Sequence, residues 1–181
     1  MKKILLAFLA AFLCGATSIQ AQENDMKNIL IAYYSWSGNT KQVAEAIQEK
    51  IGGELFEIKT VDNYPEDYQD MVNLAKDEIS EGFRPELETN IGDISEYDVI
   101  FIGSPNWWGT IAPPVSSFLA NNDFSGKTVI PVITHGGGRE QNTVSDMKKQ
   151  CSGCQFKKAW TGYGNQTDGL DAWLTEIGFE E

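Results

Sequence analysis

Six consecutive residues, Ser35-Trp36-Ser37-Gly38-Asn39-Thr40, place three hydroxyls and an amide around one glycine. Side chains this short and polar, set before an amphipathic stretch, can converge with free backbone N–H groups on a phosphate. Gly38 lets the backbone approach such a group closely. A terminal phosphate monoester suits the set. The same hexapeptide also reads as an ordinary serine–glycine turn that starts a helix. The Gly-Lys-Ser/Thr ending of a nucleoside-triphosphate loop is absent, as is the dinucleotide glycine fingerprint.

A second segment, Pro105-Asn106-Trp107-Trp108-Gly109-Thr110, sets adjacent tryptophans in a polar stretch. A flat ring system stacked on one of them would remove it from water and gain about 1 kcal/mol beyond area burial. The alternative is packing against a neighbouring helix. The sequence does not choose between Trp107 and Trp108. Trp36 either shields a phosphate or faces solvent. A third segment, Thr134-His135-Gly136-Gly137-Gly138, carries three glycines and the single histidine of the chain. His135 either puts a titratable charge into a site or is a surface loop residue. His-Gly-Gly-Gly also resembles the oxyanion-hole motif of lipases and esterases. No Gly-x-Ser-x-Gly elbow accompanies it, and one histidine would have to serve two roles, which counts against a hydrolase.

The elements that must position these segments follow from hydrophobic periodicity. Residues 28–34 (NILIAYY), 98–103 (DVIFIG) and 128–134 (TVIPVIT) are short apolar runs of the kind that form buried strands. Residues 54–59 alternate loosely, and 155–161 alternate with lysines as a sheet edge does. Val43, Ile47 and Ile51 mark a helix that Asn39 can cap, with Gln42 three residues on and Gly52-Gly53 at its end. Pro65 opens a second helix with the stripe Met71, Leu74, Ala75 and Ile79, closed by Gly82. Pro113-Pro114 starts a third carrying Val115, Phe118 and Leu119. Asn142 or Thr143 caps a fourth through Val144, Met147 and Cys151, and Leu170, Trp173, Leu174 and Ile177 mark the last. Apolar strands alternating with helices imply an α/β fold, with a parallel sheet covered on both faces. All three unusual segments leave the carboxyl ends of strands, where ligands bind in such sheets.

The Ser/Thr-x-Ser/Thr-Gly-x-Thr pattern at 35–40 resembles the phosphate loop of the flavodoxin family, and the resemblance runs from about Lys27 to Phe179. It is strongest with a short bacterial branch carrying a Pro-x-Trp-Trp-Gly-Thr loop and a stretch like Tyr64-Pro65 through Arg84-Pro85-Glu86-Leu87. The resemblance implies a doubly wound five-stranded sheet of order 2-1-3-4-5 and non-covalent FMN. It also implies electron transfer one or two at a time, with Trp107 or Trp108 against the flavin. Gly109 would permit a peptide rotation, and residues 134–138 would present N–H groups to the pyrimidine edge. An FMN-dependent NAD(P)H:quinone-type reductase and a flavin-free binding module are the alternatives.

The 181 residues suit one domain. A formal charge of −12 disfavours nucleic acid and anionic lipid and favours a basic redox partner. One histidine excludes a multi-histidine metal site. Lys2, Lys3, an apolar run at 4–13 and a small-residue boundary at Ala21 read as an export signal, followed by a linker at 22–26. The mature chain, expected in the periplasm, then has 12 basic and 26 acidic residues, a net −14, and no membrane span. Translation from Met26 would instead give a cytoplasmic protein. Cys151 and Cys154 have only Ser152 and Gly153 between them, and an oxidising compartment permits a local disulfide. A helix before them and a strand after them argue against a reactive dithiol.

Overall fold

The computed structural model of the chain describes residues 28–179. The expected leader at 1–21, the linker at 22–26 and the alternative start at Met26 lie outside the described residues. β1 (Ile29–Tyr33) pairs in parallel with β2 (Glu54–Glu57) on one side and with β3 (Val99–Trp107) on the other. β3 runs into a short antiparallel partner, β4 (Thr110–Ile111), and its other edge pairs in parallel with β5 (Thr128–His135). β6 (Gln155–Phe156) and β7 (Trp160–Tyr163) both pair in parallel with β5. The sheet order β2-β1-β3-β5-β6 is the expected 2-1-3-4-5 once the β4 hairpin is set aside.

The outermost strand is split. Gln155 faces Thr128 while Trp160 faces Val132, so one extra residue is taken up between them. The extra length falls at Lys157-Lys158-Ala159. The Lys157 ammonium donates to the Ile177 carbonyl and Lys158 pairs with Glu176 at 2.6 Å, which draws this stretch towards the C-terminal helix. The single strand expected over 155–161 therefore becomes two.

Alternation along the strands sends side chains to two separate cores. Leu30, Ala32, Ile100 and Ile102 face one side. There they meet α2 (Tyr68–Glu81), α3 (Pro113–Asn121) and α4 (Thr143–Gln150) through Met71, Ala75, Phe118 and Met147. Ile31, Tyr33, Val99 and Phe101 face the other side, covered by α1 (Asn39–Ile51) and α5 (Leu170–Glu176) through Val43, Ile47, Trp173 and Leu174. This two-sided coverage accounts for the continuous apolar runs.

At α4, Asn142 holds the expected cap position but neither its side chain nor that of Thr143 makes a capping bond, and two further helix starts differ from expectation. Asn39 is the first residue of α1 and not its cap; Gly38 holds the cap position at φ 85°, with no side chain capping. Asn39 turns its amide back to the Ser37 hydroxyl at 3.1 Å instead. α2 starts at Tyr68 and not at Pro65, because the Asp67 carboxylate accepts from the N–H groups of Gln69 and Asp70 at 2.8 and 3.0 Å. Leu74, expected on its buried stripe, is 39% exposed.

Candidate functional site

Strand order reverses between β1 and β3, since the chain leaves β1 for β2 on one side and returns to β3 on the other. Beyond the carboxyl ends of β1, β3 and β5 lies a cavity of about 570 Å³. That volume lies in the range of small-molecule sites. All three segments singled out in the sequence reach it, through Trp36, Ser37, Asn39 and Thr40, then Pro105 to Gly109, then Thr134, His135, Gly136 and Gly138.

The first loop joins β1 to the N-terminus of α1, whose free N–H groups face the loop. The Ser35 hydroxyl is buried and has no hydrogen-bond partner. A buried hydroxyl in that state carries a desolvation cost, and Ser35 itself stands behind Trp36 and Ser37 and does not line the cavity. Thr40 is 1% exposed, and its hydroxyl lies 2.8 Å from that of Thr134, which ties the first loop to the third. α1 comes this close to the sheet because β3 has Gly103 beneath it. A Cβ there would stand 2.8 Å from Tyr33 Cβ and 3.0 Å from Thr40 Cγ2.

The two adjacent tryptophans take different roles. Trp107 sits edge-on to Tyr64 and Tyr34, with ring centres 5.1 and 5.5 Å away, and so forms the cavity's aromatic floor. Trp108 is 56% exposed at φ 51°, donates from Nε1 to the Val72 carbonyl at 3.0 Å, and has Lys76 over its ring at 5.3 Å. Asn106 braces the loop from within. Its amide donates to the Arg139 carbonyl and to Gln141, and its Oδ1 accepts from the Gly109 N–H at 2.9 Å. Thr110 points elsewhere, donating to Asp146 of α4 at 2.8 Å, and does not line the cavity. Burial alone would raise the Asp146 carboxyl, but its bonds from Lys149 and Thr110 hold it below the usual range.

In the third loop, His135 Nδ1 accepts from the Gly137 N–H at 3.0 Å, which leaves the proton on Nε2. Partial burial, and then the neighbouring Arg139 charge, hold His135 below the ordinary imidazole value. Gly137 has φ 129° and needs to be glycine for that reason. Gly136 has neither a positive φ nor any atom within 4 Å of where its Cβ would be. Neither backbone nor packing requires glycine at 136, whereas a ligand lying against the backbone would.

The fourth wall did not show in the sequence. Tyr68, Met71, Val72 and Ala75 of α2 line the cavity, as does Gln141. One indole holds this helix and another the segment leading into it: Trp108 Nε1 donates to the Val72 carbonyl, and Trp36 Nε1 to that of Pro65 at 3.0 Å. Beneath, the Tyr64 hydroxyl donates to Glu78 at 2.5 Å. Burial and then that bond push the Tyr64 phenol far above its ordinary value, and burial raises the Glu78 carboxyl. Away from the cavity, Cys151 and Cys154 are joined with Cα atoms 5.8 Å apart. Among the described residues no cluster of three or more metal-ligating side chains forms, and no helix is long and apolar enough to cross a membrane.

Ser37, Asn39, the Thr40–Thr134 pair, the open space at Gly136 and the aromatic floor together fit a planar ligand with a phosphate tail. Comparison with known proteins agrees in kind. A flavoprotein from Lactobacillus acidophilus NCFM, solved in complex with FMN, is 30% identical with a TM-score of 0.70, covering 81% of this chain and 98% of that one. A Bacteroides eggerthii DSM 20697 structure is also 30% identical, with a TM-score of 0.76, covering 85% of this chain and 99% of that one. A curated protein of Azorhizobium caulinodans named NAD(P)H dehydrogenase (quinone) is 28% identical over 137 residues, 66% of this chain. The chain spans 64% of the length of that relative. The flavodoxin family model matches residues 28–177, and the chain belongs to that family.

Proposed function

We propose that the cavity binds FMN and that the protein carries electrons between redox partners outside the cytoplasm. The observation that carries this reading is the meeting of the first and third loops at the α1 N-terminus, where Ser37, Asn39, Thr40 and Thr134 line one cavity and the Thr40 and Thr134 hydroxyls touch. Ser35, Ser37, Asn39, Thr40 and the first N–H groups of α1 would hold the phosphate, with Gly38 supplying the turn. Trp107 and Trp108 would supply aromatic contact to the ring, and the N–H groups of the 134–138 loop would meet its pyrimidine edge. Bound FMN supplies one- and two-electron chemistry. The residues position it and exclude water, while the acid excess of the chain disfavours added negative charge nearby. That excess would also steer a basic redox protein towards it. The leader-like residues 1–21 support export, with a mature N-terminus near Gln22.

The visible absorption spectrum of the native protein tests the cofactor: flavin bands that FMN alone restores after removal support it, and a colourless native protein that takes up no FMN refutes it. The relatives named NAD(P)H dehydrogenase (quinone) favour a second reading, an FMN-dependent reductase. Stopped-flow bleaching separates the two. A carrier is reduced slowly by NADH or NADPH and quickly through a separate reductase. Turnover with NAD(P)H and a quinone at about 1–1,000 per second would favour the reductase.

A further inference from the structure

A second cavity, of about 540 Å³, lies on the outer side of α2, between that helix and residues 62–64 and 83–86. Its character differs from the first. Phe83 and Leu74 stand in it together, 51% and 39% exposed, and make an apolar floor. Asp62, Asp77, Glu81 and Glu86 surround them, and none of these takes part in an ion pair among the described residues. No lysine or arginine lines the groove. An apolar floor ringed by unpaired carboxylates complements a long cationic side chain. Its methylene stem can lie on Phe83 and Leu74 while its charge sits among the acids.

The groove also backs onto the first cavity. Tyr64 lines it, held by its bond to Glu78, and the Tyr64 ring stands 5.1 Å from Trp107, which lines the first cavity. One pair of aromatic side chains therefore separates the two. The rim of the first cavity suits a basic partner less well, because Lys76 lies over Trp108 and Arg139 follows the 134–138 loop.

We propose that this α2 groove is the docking site of the basic redox partner, taking a lysine- or arginine-bearing segment against Phe83 and Leu74 beside Tyr64. The proposal rests on the electron-carrier reading for the partner's nature. Ferrous cytochrome c, a basic haem protein, is a suitable probe, titrated into the isotope-labelled, FMN-loaded protein while backbone amide shifts are read. The expected shifts cluster at 62–64 and 74–86. The double variant Asp77→Asn/Glu81→Gln should raise the Kd about tenfold. Phe83→Ser, which leaves the charge unchanged, should raise it about threefold. All three side chains are exposed, and unchanged amide spectra elsewhere confirm the fold. Shifts clustered at 106–110 and 135–141, no saturable shift, or unchanged affinity in both variants would overturn the proposal. So would spermidine or calcium filling the groove as tightly as the haem protein does, since a small cation would then be its occupant. Repeating the titration without flavin keeps the two readings apart. A protein that binds no FMN yet shows the groove shifts refutes the cofactor and keeps the groove; FMN loading without groove shifts does the reverse.

Discussion

The hydroxyls of Thr40 and Thr134 lie 2.8 Å apart, although 94 residues separate them in the chain. Both residues are almost wholly buried. This contact joins the start of α1 to the end of β5 in the wall of the cavity. Two hydroxyls share one hydrogen bond and keep one hydrogen over, which is free to point at an anion. Ser35, nearby in the loop, has no partner at all.

That difference predicts opposite responses to alanine. Ser35→Ala should leave the flavin-free protein as stable as before, or slightly more so, because its hydroxyl has no bond to lose. It should still weaken FMN binding by about 1.5–3 kcal/mol. Thr40→Ala breaks the contact with Thr134, and should cost the flavin-free protein about 1 kcal/mol as well as affinity. Urea unfolding of the flavin-free variants, with FMN titration of each, checks both. A Ser35→Ala protein that is less stable yet binds FMN normally would contradict the assignment.

The histidine predicts a pH dependence. Burial and Arg139 lower its folded value below 6.5, so the fold favours neutral imidazole. Its contribution is present above about pH 6.5 and is lost as the pH falls through the lower folded value. On protonation Nδ1 can no longer accept from Gly137, and the 134–138 loop should loosen. FMN affinity should therefore hold steady above pH 6.5 and fall in acid. Imidazole resonances followed by NMR should show the Nε2–H form and a midpoint below 6.5; a midpoint above it would contradict the placement of His135.

Several of these features could be read from the sequence, and for particular reasons. The apolar runs of β1, β3 and β5 have a chemistry fixed by burial on both faces, and the three loops stood out because each follows such a run. The wall formed by α2 did not show. Met71 and Ala75 lie on an ordinary core stripe, and nothing local says that the same stripe also borders a cavity. Its position is set by indole bonds, from Trp36 to the segment leading into α2 and from Trp108 to α2 itself, which span 29 and 36 residues. Long-range partners likewise decided that Trp107 goes inward and Trp108 outward, and that Thr110 turns to Asp146. The split in the last strand depends on lysine contacts with α5, which periodicity does not encode.

The Cys151–Cys154 bond closes a very short loop at the end of α4, away from the cavity. Chain-entropy arguments give such a bond about 2 kcal/mol at most. Cys154→Ser should lower stability by no more than that and leave FMN affinity unchanged. Denaturant midpoints with and without reductant, beside flavin titrations, measure both. A large loss of FMN binding on reduction would mean that α4 positions the site more tightly than its contacts imply.

The central claim is that residues 35–40 hold a terminal phosphate. Equilibrium titration of the flavin-free protein with FMN, riboflavin and FAD tests it most directly. The account predicts FMN the tightest of the three, ahead of riboflavin by at least one charge-assisted hydrogen bond, about 1.5–3 kcal/mol. Riboflavin binding as well as FMN, or FAD binding as tightly or more so, would contradict it.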